Sequence, residues 1–171
     1  MNPSTSLHGN VSDESSYASV SLPSILTQTT NSISPLVQRV ALATVIFPHG
    51  AQKLLGWFGG YGFKGTMAFF TGTMGIPWLL ALGVVLIEFF APILLLIGLG
   101  TRIAALGLAV VMTTAMLMVH VQNGFFMNWF GAQKGEGIEY FLLLLGLAIS
   151  LLISGAGRFS VDRNFHKNSS L

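Results

Sequence analysis

The chain contains no cysteine. That absence excludes thiol–disulfide catalysis, structural disulfides, cysteine-ligated zinc and iron–sulfur clusters held by this chain. Charge is nearly as scarce. Only 8% of the 171 residues are Asp, Glu, Lys or Arg, against roughly 25% in soluble domains, too few to cover a water-facing globule. The net charge is only +2, and the basic residues are thinly spread, so no nucleic-acid footprint is present. The first 35 residues hold neither Lys nor Arg and no long apolar run. They therefore lack both parts of a secretory signal.

Apolar residues make up 52% of the chain and come in long runs, over 36–58, 77–97, 101–121 and 138–154. Each run is near the roughly 20 residues with which a helix crosses a bilayer. The expected fold is all-α, a four-transmembrane-helix bundle over residues 36–157. Residues 1–35, rich in Ser, Thr and Asn, read as a disordered cytoplasmic tail with room for a short interfacial helix around 22–26. Residues 158–171 read as a short polar tail. A soluble helical bundle is the competing architecture. It would need a polar stripe along 103–119, where only two threonines interrupt the apolar run.

The loops and charges suggest an orientation. Arg39, Arg102, Arg158, Arg163 and Lys167 collect at one end of the expected bundle, and Lys64 and Lys134 at the other. The positive-inside bias then gives a multi-pass protein of the plasma (inner) membrane with both termini cytoplasmic. Trp57, Trp78 and Trp129 fall at the opposite end, where indole rings favour the membrane interface. Arg102 reads as an anchor at the inner headgroups.

Ionisable groups inside a span cost about 2.5–3.5 kcal/mol each on insertion scales, so those present are informative. They are His49, Lys53, Glu88 and Glu139, with His120 at a span end. At about 1.5 Å per residue, His49 and Glu88 lie near the midplane and Lys53 and Glu139 about 10 Å outward. Depth therefore pairs His49 with Glu88, and Lys53 with Glu139. His49 and Lys53 are four residues apart and share a helix face, which is expected to look into the bundle. Pro92 frees the carbonyl of Glu88, four residues back, as a further acceptor. Gln52, Asn123 and Tyr140 are candidates for the rim. The same pairs could instead act as adhesive between helices.

No metal motif such as HExxH occurs. Haem ligation by His49 and His120 would need two rings whose depths differ by about 10 Å to meet one iron. Gly146, Ser150 and Ser154 recur every four residues. This small-residue stripe suits a neighbouring helix or a homodimer contact.

Two segments carry a resemblance. HGAQKLLGWFGG at 49–60 and GVVLIEFFAPILLLIGLGTRIAAL at 83–106 resemble the DoxX family of small four-helix membrane proteins. His49, Gly50 and Lys53 match its His/Ser-Gly-x-x-Lys element. Glu88 matches its second-helix glutamate, and Gly98, Leu99, Thr101 and Arg102 match its Gly-Leu-x-Thr-Arg turn. The resemblance covers 36–157 and implies redox work at the membrane. Some relatives are linked to quinone-coupled oxidation, others to oxidative-stress complexes. The expected role is a membrane component of a quinone-linked oxidoreductase or oxidative-stress system, with no covalently bound cofactor, a quinone-like ligand and a redox partner protein that carries electrons. Glu88, His49 and Lys53 are the candidate catalytic residues. Gln52, His120, Asn123, Glu139 and Tyr140 are the candidate binding residues. A small proton-coupled transporter and a non-catalytic membrane scaffold are the alternatives.

Overall fold

A computed structural model describes residues 26–168. Residues 1–25 of the expected tail, with most of the candidate interfacial helix, lie outside the described residues, as do 169–171. The described residues are helical, without strands.

Helix α1, Ser34–Leu55, begins with Pro35, whose missing N–H costs nothing in a first turn. It buries Pro35, Arg39, Leu42, Ala43, Ile46 and Gly50, a stripe at helical spacing. Helix α2, Gly62–Ala68, and a π turn, Phe69–Thr73, occupy the connection to α3. Helix α3, Trp78–Ile97, buries Ala81, Val85, Glu88, Ala91, Pro92 and Leu95. It ends in a Schellman turn: Leu99 N donates to Leu94 O at 3.0 Å and Gly98 N to Leu95 O at 3.2 Å. Helix α4, Thr101–Ala115, continues through a π turn, Met116–His120, and a 3₁₀ turn, Val121–Asn123. Helix α5 is Glu139–Ser154, and helix α6 is Val161–Asn168.

Helices α1, α3, α4 and α5 form a closed ring, α1 on α3, α3 on α4, α4 on α5 and α5 back on α1. Leu42, Ile46, Leu95, Leu108, Leu144 and Leu151 fill the centre, and Ala43, Ala91, Ala105 and Ala148 let the helices close together. The exterior is apolar. Two helices, Trp78–Ile97 and Thr101–Asn123, are long and apolar enough to cross a membrane, yet only 33% and 28% of their most apolar windows are buried. A core helix of a soluble bundle would hide most of that surface. Gly146 has open space where a side chain would lie, so the small-residue stripe does not seat α5 on another helix of this chain at that position.

The end bearing residues 28–32 and α6 is more structured than its polar sequence suggests. Arg39 is fully buried. Its guanidinium donates to Leu95 O at 2.9 Å, to Leu96 O at 3.4 Å and to Phe159 O, which gives Leu95 O a second donor and supplies one to Leu96 O at the end of α3. Gly98 makes room for it: a Cβ there would lie 2.4 Å from the Arg39 guanidinium and 2.5 Å from Ser160. Arg102, expected as a headgroup anchor, donates to Ile153 O at 3.1 Å and Gln28 O at 3.2 Å, closing the end of α5. Asp162 is buried, and its carboxylate accepts from Gly100 N at 2.7 Å and Thr101 N at 2.9 Å. It caps the start of α4 from α6, a position no local motif reveals. Residues 28–32, assigned by composition to the tail, join this cluster. Thr30 N donates to Ser154 O at 3.1 Å and Arg158 N to Ser32 O at 2.9 Å.

Candidate functional site

The site lies in the other half of the ring, where α1 crosses α3. The crossing is set by Gly50. A Cβ on Gly50 would come within 2.3 Å of Glu88 O, so only a glycine lets the two backbones touch. The carbonyl that Pro92 frees therefore packs onto the bare Cα of Gly50, where it was expected to offer a free acceptor.

Glu88 is 4% exposed, and its carboxylate forms an ion pair with the Lys53 ammonium. Depth alone pairs Lys53 with Glu139; the structure pairs it with Glu88. The reason is side-chain direction. Helical side chains lean toward their own N-terminus. Lys53 on α1 therefore leans back toward the middle of the bundle. Glu88, on the antiparallel α3, leans out to meet it. Rise per residue places Cα atoms, and a long lysine stem then spans the remaining turn.

The pair forms one wall of a cavity of about 310 Å³. Ile46, His49 and Lys53 come from one face of α1, Met112 and Ala115 from α4, and Tyr140 and Phe141 from α5. His120, Met127 and Glu136 close it from the end of the bundle opposite Arg39. The wall is mostly apolar with a few converging donors and acceptors, the usual make-up of a small-molecule site. The π turn at the end of α4 carries His120, and the extra residue in such a turn changes which face a side chain occupies. The His120 ring packs on Phe141 at 4.4 Å between centroids. Its Nδ1 lies 2.9 Å from Glu136 O. A carbonyl can only accept, so Nδ1–H donates, and in a neutral ring Nε2 is left as an acceptor.

Of the expected site residues, Glu88, Lys53, His49, His120 and Tyr140 come together around this cavity. Glu139 is not part of its lining. Tyr140 and Phe141, the next two residues of α5, line it instead. Gln52 donates to Phe58 O at 3.2 Å and lines an adjacent cavity with Lys53, Tyr61 and Thr66. Asn123 donates to Glu136 O at 3.1 Å and shapes the outer loop. Sequence reasoning missed Glu136 and Met127. Glu136 also accepts from Asn128 N at 2.6 Å, so it organises the loop that covers the cavity. Its signal was available: it is the sole carboxylate between residues 89 and 138. Among the described residues no three His, Asp or Glu side chains cluster to hold a metal ion.

Comparison with known proteins converges on the same helices. The family model described as DoxX matches residues 34–121, from the start of α1 through the π turn that carries His120. A Bacillus subtilis (strain 168) protein named "Putative oxidoreductase CatD" is 29% identical over 130 residues, covering 76% of this chain and 85% of its own length. An uncharacterized Haemophilus influenzae protein is 36% identical over 132 residues, covering 75% of this chain and 88% of its own length. A second uncharacterized protein of that organism is 28% identical over 132 residues, covering 76% and 82%. No solved structure matches the chain.

Proposed function

This chain belongs to the DoxX family of membrane proteins, and from that premise we propose that it is the membrane component of a quinone-linked oxidoreductase or oxidative-stress system. The observation that carries the reading is the Lys53–Glu88 ion pair, a buried carboxylate with a part-buried ammonium in the wall of a 310 Å³ cavity that His49, His120 and Tyr140 also line. A carboxylate and an ammonium inside an apolar bundle are costly, and such groups mark sites or pathways by default. The name of the Bacillus subtilis relative points to redox chemistry as well.

The residues present fit a quinone-like head group. The cavity falls at the small end of the roughly 300–1,000 Å³ typical of ligand sites, and its polar groups lie on different helices. A bound quinone would supply the electron-accepting centre, taking two electrons from a redox partner protein and two protons as it becomes a quinol. The chain itself binds, orients and moves protons. The Lys53 ammonium donates to a carbonyl oxygen, and Glu88 holds that ammonium in place. His120 Nε2 accepts from a hydroxyl on the opposite side. His49, one turn from Lys53 on the same helix face, passes protons toward the outer end.

All four ring helices cross the bilayer in this reading, as a multi-pass protein of the plasma (inner) membrane. Arg39, Arg102, Arg158 and Arg163 then face the cytoplasm with both termini. The exposed Trp57, Trp78 and Trp129 sit at the outer interface. The test is purification from native membranes, with mass spectrometry of bound quinones and titration with a tailless benzoquinone. Saturable binding that Lys53→Met and Glu88→Gln each weaken at least tenfold is expected. An unchanged affinity in both variants would overturn the assignment. Proteoliposome proton flux that depends on Glu88 without quinone would favour the transporter instead.

A further inference from the structure

The head-group cavity leaves a second, wholly different space unexplained. Between α3 and α4 runs a groove of about 530 Å³, lined by Leu79, Leu80, Gly83, Ile87, Val110 and Met118 among others. No charged side chain lines it. Thr114, its one hydroxyl, donates to Val110 O at 2.9 Å within its own helix, so no unmet polar group faces the space from a side chain. Leu79, Leu80 and Val110 are exposed, so the groove opens on the flank of the bundle, where a membrane protein meets acyl chains.

The groove does not end blindly. A cavity of about 210 Å³ adjoins it, and Met74, Ile76, Val84, Val111, Thr114 and Met118 line both. The inner end of that cavity is formed by Lys53, Glu88 and His120, which also line the head-group cavity. An apolar path therefore leads from the flank to a buried ion pair. Polarity rises along it in one direction only.

We propose that this groove holds the apolar tail of the ligand whose polar head sits at Lys53 and Glu88. The ligand class is then a lipid-soluble amphiphile, a quinone-type ring bearing an isoprenoid or alkyl chain, which enters sideways from the bilayer between α3 and α4. The inference rests on the head-group reading and adds the tail and the route. Because lipid is as apolar as the groove, the groove acts through shape and alignment, delivering the ring with its substituent toward the flank, one ring oxygen toward the Lys53 ammonium and the other, as the quinol hydroxyl, toward His120 Nε2.

Gly83 makes the idea testable. A Cβ there meets nothing within 4 Å, so Gly83→Leu fills groove space without a backbone clash. Wild type, Gly83→Leu and Val110→Phe, which narrows the groove from the α4 side, are placed in nanodiscs. Each is titrated with a tailless benzoquinone and with the same ring carrying a decyl chain. The expected result is a tenfold or greater loss of affinity for the decyl probe in either variant, with less than a twofold change for the tailless ring. Equal effects on both probes, or no effect on the decyl probe in a folded variant, overturn the groove while leaving the head-group site standing. A phospholipid retained in the groove beside full decyl affinity overturns it equally. Wild type that binds neither probe removes the head-group reading, and the groove proposal falls with it.

Discussion

Lys53 and Glu88 are worth more as a pair than as two residues. Removing one partner of a buried pair leaves the other desolvated and unmatched, whereas replacing both with apolar groups is often neutral. Lys53→Met or Glu88→Leu alone is expected to cost about 3 kcal/mol, the low end of the usual range, because the Lys53 side chain keeps 25% exposure. The double variant should recover most of that loss while binding no ligand. Thermal unfolding in detergent checks this; additive losses in the double variant would show that the residues do not interact. Gly50 is the second residue on which the site depends. Gly50→Ala must push α1 off the Glu88 backbone, and overpacking of this kind costs about 1–3 kcal/mol. The same displacement should weaken ligand binding, because Lys53 lies one turn further along α1. A Gly50→Ala protein with wild-type melting temperature would contradict the observed crossing.

At the level of elements, the two ends of the bundle do different work. The end with residues 28–32 and α6 is held by long-range caps. Arg39 closes α3, Arg102 closes α5 and Asp162 of α6 opens α4. Loss of a capping carboxylate typically costs about 1 kcal/mol, up to 2, so Asp162→Ala should lower the melting temperature with ligand affinity retained. Arg39→Lys should also destabilise, since an ammonium lacks the planar fork that reaches carbonyls of both α3 and the Phe159 segment at once. If Arg39→Lys melted like wild type, the guanidinium would not be bridging those segments. The opposite end carries the candidate site, and its helices depart from α geometry there. The π turn at Met116–His120 turns His120 to the cavity, and the loop built on Glu136 and Asn128 covers it. A helix continuing regularly to Asn123 would present a different residue to the site.

For the whole molecule, the expected topology yields to a labelling experiment that the absence of cysteine makes clean. Phe130, in the covering loop, and Arg158, at the end with α6, are both exposed. A membrane-impermeant thiol reagent added to intact cells should label Phe130→Cys and spare Arg158→Cys. The reverse pattern would invert the orientation drawn from the arginines. The long apolar runs, the tight turn at Gly98–Gly100, and Gly50, Lys53 and Glu88 as residues of interest were legible in the chain itself. Hydropathy and helical spacing are local properties, carried by residues that are neighbours in sequence. Which carboxylate Lys53 meets, what Arg39 and Asp162 hold, and that the α3–α4 groove adjoins a cavity lined by the ion pair were decided by tertiary structure alone. Those facts depend on how helices cross and on where long side chains lean, and both are fixed only when segments distant in sequence pack together.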